Sequence, residues 1–190
     1  LALMAELIYA AVSSLDGFMS DPSGAFEWLA PDDEMMAAAN ELETEFGTYL
    51  YGRRMYETMR YWETAEPDEE TDPLDAEFAR MWRRADKVVY SSTLSDVSSA
   101  RTRLERTFDP DAIVQMKSSA ERNISINGPT LASAAFRAGL IDECHLFLQP
   151  IIRGAGLRAL PDEGPIPLEL ISERRFESGA VHLRYRVKSV

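Results

Sequence analysis

Apolar and polar positions along the chain switch between two periods, and the switches predict an ordered series of strands and helices. Residues 7–13 form an apolar run of strand length. Residues 14–31 read as a long loop, punctuated by Gly17, Asp21-Pro22 and Gly24. A helix is predicted over 32–46, with Asp32, Asp33 and Glu34 in the first turn, where the helix dipole favours negative charge. A short strand over 48–51 ends at Gly52, and a short helix covers 54–61. A further helix follows at 74–84, then a buried strand at 87–90 that runs into Ser91-Ser92-Thr93. The spacing next predicts a strand over 101–106 and a helix over 111–120.

Residues 123–150 carry the most information. Ile124 and Ile126 alternate toward one face, Gly128 permits a sharp turn, and Pro129 suits the first position of a helix. Leu131, Ala135 and Ala138 recur at helical spacing until Gly139 stops them. A strand follows, with Leu146 and Leu148 opposite His145 and Phe147. Near the C-terminus, residues 168–176 and 181–187 flank a Ser178-Gly179 turn. Val181, Leu183, Tyr185 and Val187 alternate with His182, Arg184, Arg186 and Lys188, which predicts an antiparallel hairpin with one wet face. The fold class is therefore α/β, a mixed sheet that is mostly parallel with an antiparallel C-terminal hairpin.

Composition narrows the picture. The 190 residues suit one domain, read as 4–190, with residues 1–3 taken as an appendage ahead of Met4. Hydrophobic residues make up 45% of the chain, enough for a core. The net charge of −12 argues against nucleic acid as a partner, since phosphate binding needs a basic face. Eight carboxylates between Glu63 and Glu77, with no Lys or Arg among them, read as a solvated acidic loop; the calcium-loop spacing is absent and no metal is expected. Cys144 is the only cysteine and there are two histidines, so disulfides, Cys-rich zinc sites and a zinc-dependent deaminase are set aside. No apolar run approaches a membrane span, and the first twelve residues, interrupted by Glu6, lack a basic leader. The expectation is a soluble cytoplasmic protein without membrane contact.

Four places carry candidate chemistry. The turn Asn127-Gly128-Pro129-Thr130 between strand and helix can rest a phosphate on free N–H groups; Pro129 has none, so the donors are Gly128, Thr130, Leu131 and the Thr130 hydroxyl. An ordinary capped helix is the plainer alternative. Gly52-Arg53-Arg54 sits between strand and helix, where an arginine can fork onto a phosphate or stay a solvated surface charge. Ser91 and Ser92 end a buried strand, where their hydroxyls bond either a ligand or their own backbone. Asp16-Gly17 opens the loop after the first strand and is equally a common turn. Gly154-Ala155-Gly156 lacks the third glycine of a dinucleotide fingerprint and reads as a loop over the site or against a partner subunit. His145 and His182 read as ordinary strand residues, and Trp62, Tyr49, Tyr51 and Tyr56 as packing.

Four blocks, in this order, resemble the dihydrofolate-reductase-like family: Ser13-Ser14-Leu15-Asp16-Gly17; Tyr51-Gly52-Arg53-Arg54-Met55-Tyr56-Glu57 with Trp62; Lys87-Val88-Val89-Tyr90-Ser91-Ser92; and Asn127-Gly128-Pro129-Thr130 with Gly139-Leu140-Ile141-Asp142-Glu143. Within it the chain is similar to stand-alone homologues of the reductase domain of the riboflavin-biosynthesis deaminase-reductase, from about Leu7 to Val187. The resemblance implies helices on both sheet faces and NADPH as cofactor. It implies that Arg53 and Arg54 handle the 2′-phosphate, beside Ser91 and Ser92. Gly52 and Met55 contribute backbone, Met55 standing where dihydrofolate reductases carry Thr. Asn127, in place of a glycine, with Gly128, Thr130 and Leu131, is implied at the pyrophosphate. The end of the first strand, from Ala11 to Asp16, is implied beside the nicotinamide, with Asp16 as substrate anchor or proton-relay group. Trp28 and Asp33 (roughly at the place of a pterin-binding carboxylate) are implied on the substrate side; Gln149 at a strand end can present an amide to a pyrimidine-like ring or stay a surface residue, and Arg153 and Arg158 flanking the glycine loop are the candidates for a second anion site.

The implied activity is NADPH-dependent hydride transfer to a pyrimidine- or pterin-related small molecule, resembling 5-amino-6-(5-phosphoribosylamino)uracil reductase. Dihydrofolate reduction and a non-catalytic cofactor-binding scaffold are the alternatives. Relatives of this kind imply a homodimer.

Overall fold

Alternate residues of the first strand enter two separate cores, and those cores define the layers of the molecule. The computed structural model describes residues 4–162 and 164–188. In β1 (Leu7–Ser14), Leu7, Tyr9 and Ala11 face one core and Ile8 faces the other. The first core is closed by α4 (Pro110–Ser119) and α5 (Pro129–Arg137) through Ile113, Leu131, Ala132, Ala135 and Phe136. The second is closed by α1 (Asp33–Glu43), α2 (Arg53–Met59) and α3 (Pro73–Arg84) through Met35, Leu42, Tyr56, Phe78 and Trp82. Helices thus cover both faces of the sheet.

The main sheet has eight strands in the order β5-β4-β3-β6-β1-β7-β10-β9. These are β3 (Phe46–Gly52), β4 (Asp86–Tyr90), β5 (Thr102–Glu105), β6 (Asn123–Asn127), β7 (Glu143–Gln149), β9 (Leu168–Arg175) and β10 (Val181–Val187) around β1. The pairs from β5 to β7 are parallel, and β10 runs antiparallel to both β7 and β9. After β5 the chain returns to insert β6 between β3 and β1. That return reverses the direction in which strands are added and leaves a crevice at the carboxyl ends of β3, β6 and β1, where open α/β sheets place ligands.

Several boundaries differ from the sequence reading for physical reasons. The first helix stops at Glu43, because Phe46 is buried and pairs with Asn123 as the first residue of β3. The second helix stops at Met59 and tightens into a 3-10 turn over Arg60–Glu63. The loop over 14–31 holds a short strand, β2 (Phe18–Ser20), and a 3-10 turn, Glu27–Leu29. β2 pairs with β8 (Leu157–Arg158) in a separate two-stranded ladder.

The polar face of the hairpin is only partly wet, because its arginines reach a buried carboxylate on the neighbouring strand. Glu143 of β7 is wholly buried, and Arg184 reaches it through Nε at 2.8 Å and Nη2 at 3.1 Å. Arg186 Nη2 lies at 3.3 Å and His145 Nε2 at 3.3 Å. Burial alone would raise the Glu143 carboxyl, but the Arg184 fork and His145 outweigh it and hold the group below the usual range. His145 and His182 are more than plain strand residues. Their rings meet at 3.1 Å, Nδ1 to Nε2, and His182 stacks on Phe147 at 4.1 Å between centroids. Burial, reinforced by His145, Arg174 and Arg184, pushes His182 down to about 4. His145 is also lowered, chiefly by burial. With both rings neutral, His145 Nε2–H donates to Glu143, so its Nδ1 accepts from His182.

Candidate functional site

Neighbouring strands of the parallel body end side by side, and their exits bring three of the sequence motifs to one edge. Tyr51 is in register with Asn127, Gly52 with Tyr90, and Tyr9 with Ile126. Gly52-Arg53-Arg54, Ser91-Ser92-Thr93 and Asn127–Thr130 therefore leave the sheet as neighbours. A Cβ on Gly128 would stand 3.8 Å from Met55 Cβ, so the starts of α2 and α5 touch. Gly128 sits at φ +94°, a conformation that favours glycine and that turns the chain from β6 into α5. In the first turn of α5, Thr130 and Leu131 have no intrahelical acceptor for their N–H groups.

The side chains at this edge divide into engaged and available groups. Arg53 is engaged: Nε bonds Glu57 at 2.9 Å and Nη1 bonds the Thr93 hydroxyl at 2.9 Å. Arg54 lines a cleft of about 580 Å3 together with Ser20, Asp21, Gly24, Gly156 and Leu157. The buried Ser91 hydroxyl accepts the N–H groups of Leu94 at 3.0 Å and Thr93 at 3.2 Å, so it closes its own loop while Ser92 stays exposed. The Asn127 amide donates to Ser125 at 3.0 Å. The side chains of Ala11 and Leu131 are buried in the first core, which leaves only their backbones to face a ligand. A second cleft, of about 530 Å3, lies beside the start of α5, lined by Thr130, Ser133, Arg137, Arg158 and Leu160. Gly156 and Leu157 line both clefts and form the divide between them.

Of the residues expected near a substrate, Trp28 and Arg153 come together, the guanidinium carbon 4.8 Å from the ring centroid. Trp28 Nε1–H donates to the Ala25 carbonyl at 3.1 Å. Gln149 donates to the Leu29 carbonyl at 3.3 Å, which joins the end of β7 to this loop. Asp33 does not join them. It stands exposed in the first turn of α1, where its charge complements the helix start, while Asp32 caps the helix by accepting the Met35 N–H at 2.8 Å. Arg158 lies over the Phe18 ring, 5.4 Å from its centroid.

Asp16, expected as a substrate anchor or proton-relay group, is engaged by its own loop and by the 151–154 turn. Its Oδ1 accepts the Ser14 hydroxyl at 2.6 Å and the Arg153 N–H at 3.0 Å, and Oδ2 accepts the Gly154 N–H at 2.7 Å. The Ser14 hydroxyl first, with the two N–H groups, holds the carboxyl down to about 2. A carboxylate this acidic has no proton to give near neutral pH. It latches two loops together.

Sequence reasoning passed over Asp21 as a mere turn residue. It lines the first cleft, and its carboxyl is held low chiefly by the Ser23 hydroxyl, with Arg153 adding to the effect. Its only sequence signal was the Asp-Pro pair. The tie between Arg53 and Thr93 joins residues 40 apart and left no sequence signal. Among the described residues, no group of three or more His, Cys, Asp or Glu is placed to hold a metal ion, and no helix is long and apolar enough to cross a membrane.

The geometry defines a class: a mostly parallel α/β fold with two clefts, lined in part by arginines, at its strand ends. Residues 5–182 match the RibD C-terminal domain family, and the chain belongs to that family. It is 25% identical over 178 residues to the uncharacterised protein YyaP of Bacillus subtilis strain 168, covering 90% of this chain and 89% of YyaP. Many solved structures share the fold, among them the following three. A protein assigned to riboflavin biosynthesis in Shewanella sp. PV-4 superposes with a TM-score of 0.75 at 18% identity, over 97% of this chain and 99% of that one. A pyrimidine reductase-like protein from Corynebacterium diphtheriae gives 0.72 at 16%, over 98% and 93%. The diaminohydroxyphosphoribosylaminopyrimidine deaminase/5-amino-6-(5-phosphoribosylamino)uracil reductase of Thermotoga maritima gives 0.68 at 13%, over 97% of this chain and 57% of that one.

Proposed function

We propose that the chain is an NADPH-dependent reductase that transfers a hydride to a pyrimidine- or pterin-related compound, akin to the reductase half of the Thermotoga maritima enzyme. The observation that carries this reading is the convergence of Arg54, Ser92 and the first turn of α5 at one edge of the sheet. The residues present fit a dinucleotide phosphate in part: a guanidinium lining a cleft, exposed hydroxyls, and a glycine turn that opens into a helix start. Arg54 and Ser92 would hold the adenosine phosphate, with Arg53 bracing Thr93 beside them. The N–H groups of Gly128, Thr130 and Leu131 would hold the pyrophosphate.

NADPH, when bound, supplies the hydride; the protein supplies position and electrostatics. The end of β1 and the loop around Trp28 orient the acceptor. The proton required for reduction then comes from water, since Asp16 is ionised and engaged. The dihydrofolate alternative loses support from the exposed position of Asp33. For the assembly we propose a homodimer: β9 is an edge strand exposed along its whole length, with Leu168 and Leu170 on it.

Titration of NADPH and NADH by fluorescence tests the cofactor reading. Tighter binding of NADPH is expected, and Arg54→Ala should lower its affinity about tenfold while leaving NADH nearly unchanged. Absence of NADPH binding at high protein concentration overturns it. Binding with no oxidation by any pyrimidine or pterin compound would favour the scaffold alternative.

A further inference from the structure

The first cleft holds a carboxylate and a guanidinium that do not neutralise each other. Residues 21–25 leave β2 as a tight turn: Gly24 N–H bonds the Asp21 carbonyl at 3.0 Å, and Asp21 N–H bonds the Ala25 carbonyl at 2.9 Å. Asp at the first position, Pro at the second and Gly at the fourth suit such a turn. Asp21 Oδ1 accepts Ser23 N–H at 2.8 Å, the Ser23 hydroxyl at 2.6 Å and Ala25 N–H at 3.0 Å. The turn thus engages one carboxylate oxygen and fixes the side chain, while among the described residues Oδ2 has no hydrogen-bond partner. The Ser23 hydroxyl first holds the carboxyl below its usual range, so Oδ2 is purely an acceptor near neutral pH. Pairing of Ser20 with Leu157, and the close approach of Gly156 to the Ser20 carbonyl, set this turn on the cleft wall. Asp21 is half-buried there and shares the lining with Arg54. The Arg54 carbonyl accepts the Thr58 hydroxyl at 3.2 Å, but among the described residues no hydrogen bond or ion pair engages its guanidinium, and none joins it to Asp21.

A ligand that is only an anion gains at Arg54 and is repelled at Asp21. A ligand that carries hydroxyl donors beside a phosphate satisfies both groups. We propose that Asp21 is a cofactor-binding residue: its Oδ2 accepts a hydroxyl of a dinucleotide ribose while Arg54 holds the phosphate next to that ribose. The proposal rests on the reductase reading for the identity of the ligand. It adds a carboxylate contact that selects the sugar against a bare phosphate or pyrophosphate. Both halves of NADPH carry a ribose beside a phosphate, and the test tells them apart.

Asp21→Asn isolates Oδ2. An asparagine keeps an amide oxygen for the bonds of the turn and puts an NH2 donor where the free acceptor stood. Calorimetric titrations compare it with the wild type on NADPH, on adenosine 2′,5′-bisphosphate for one half of the cofactor, on reduced nicotinamide mononucleotide for the other, and on inorganic pyrophosphate. Asp21→Asn should weaken NADPH and one of the two halves about tenfold, and the half that loses affinity identifies the ribose. The other half should change little. Pyrophosphate should bind the variant as well as the wild type or better, because a repelling charge is gone. Unchanged NADPH affinity in Asp21→Asn, or a loss that both halves share alike as a merely structural turn would give, overturns the role of Asp21 and leaves the reductase reading standing. Binding of one half that depends on Asp21, in a wild type that does not bind NADPH, would do the reverse. A wild type that binds neither half nor NADPH overturns both.

Discussion

Gly156 is the point at which a single methyl group should separate the two clefts from the rest of the fold. A Cβ there would stand 1.8 Å from the Ser20 carbonyl oxygen, 2.9 Å from its carbon and 3.1 Å from Asp21 Cα. All three are backbone atoms, so no rotamer change relieves the overlap. The two segments must part by more than about 1 Å before even a tight contact is reached. Gly156 also sits at φ +144°, where a side chain adds about 1–3 kcal/mol of strain. Against this stand the two register pairs of the β2–β8 ladder and the Ala159 N–H bond to Gly17 at 2.9 Å. Each such hydrogen bond contributes about 1 kcal/mol net. Opening the ladder is therefore easier than bearing the overlap, and the loss is capped near 2–3 kcal/mol. In a domain of this size that lowers Tm by about 4–12 °C.

Gly154→Ala is the internal control. Nothing lies within 4 Å of its Cβ, so only the strain of φ +80° remains, about 1–2 kcal/mol. Thermal unfolding by circular dichroism, with hydrogen exchange at residues 157–159, separates the two variants. Gly156→Ala should lose amide protection there and bind NADPH more weakly; Gly154→Ala should keep the protection. A Gly156→Ala protein with unchanged Tm and intact protection would refute the close approach of these backbones.

Three further outcomes follow from the buried charges. Glu143 is depressed in the folded state, so its stabilisation is complete above the unfolded carboxylate range and is lost as pH falls through the folded value. Glu143→Gln should cost about 1–3 kcal/mol at pH 7, because it removes the charge from hydrogen bonds to a partly solvated Arg184, and should cost progressively less as pH falls below the unfolded carboxylate range in urea titrations. Burial raises the Glu43 carboxyl to about 7, although the Tyr49 hydroxyl bonds it at 2.6 Å. A raised carboxyl favours the folded state below its folded value, so Glu43→Gln should raise Tm at pH 8 and have little effect at pH 5. His182, lowered to about 4, remains neutral in the fold while the unfolded chain takes up a proton below about 6.5. Stability should fall between those values on acidification, and His182→Phe, stacked on Phe147, should flatten that slope in a series of melts.

The sheet was legible because its strands announce themselves locally. Ile124 and Ile126 before Gly128, and Val181 to Val187 in strict alternation, carry their period within five to seven residues. The helix end at Glu43 was missed because Leu42 and Phe46 keep helical spacing across the break, and only the pairing of Phe46 with Asn123 decides it. The β2–β8 ladder was illegible for a related reason: it is two or three residues long on each side, and its halves lie far apart in the chain. The hairpin shows where local pattern stops informing. Period two correctly put His182, Arg184 and Arg186 on one face, but it could not say that Glu143 would be buried beneath them.

The site divides along the same line. The placement of Gly52, Arg54 and Gly128 was readable because residue type marks a strand exit; their roles there remain part of the proposal. Trp28 and Arg153 were suspected separately, and their contact appears only in three dimensions. Asp16 is the sharpest case. Its partners are backbone N–H groups of Arg153 and Gly154, which every non-proline residue possesses, so no side-chain identity near position 153 could have announced them. A carboxylate held by main chain reads in sequence as a turn or as a catalytic acid. Only the geometry shows that this one joins the end of β1 to the 151–154 turn.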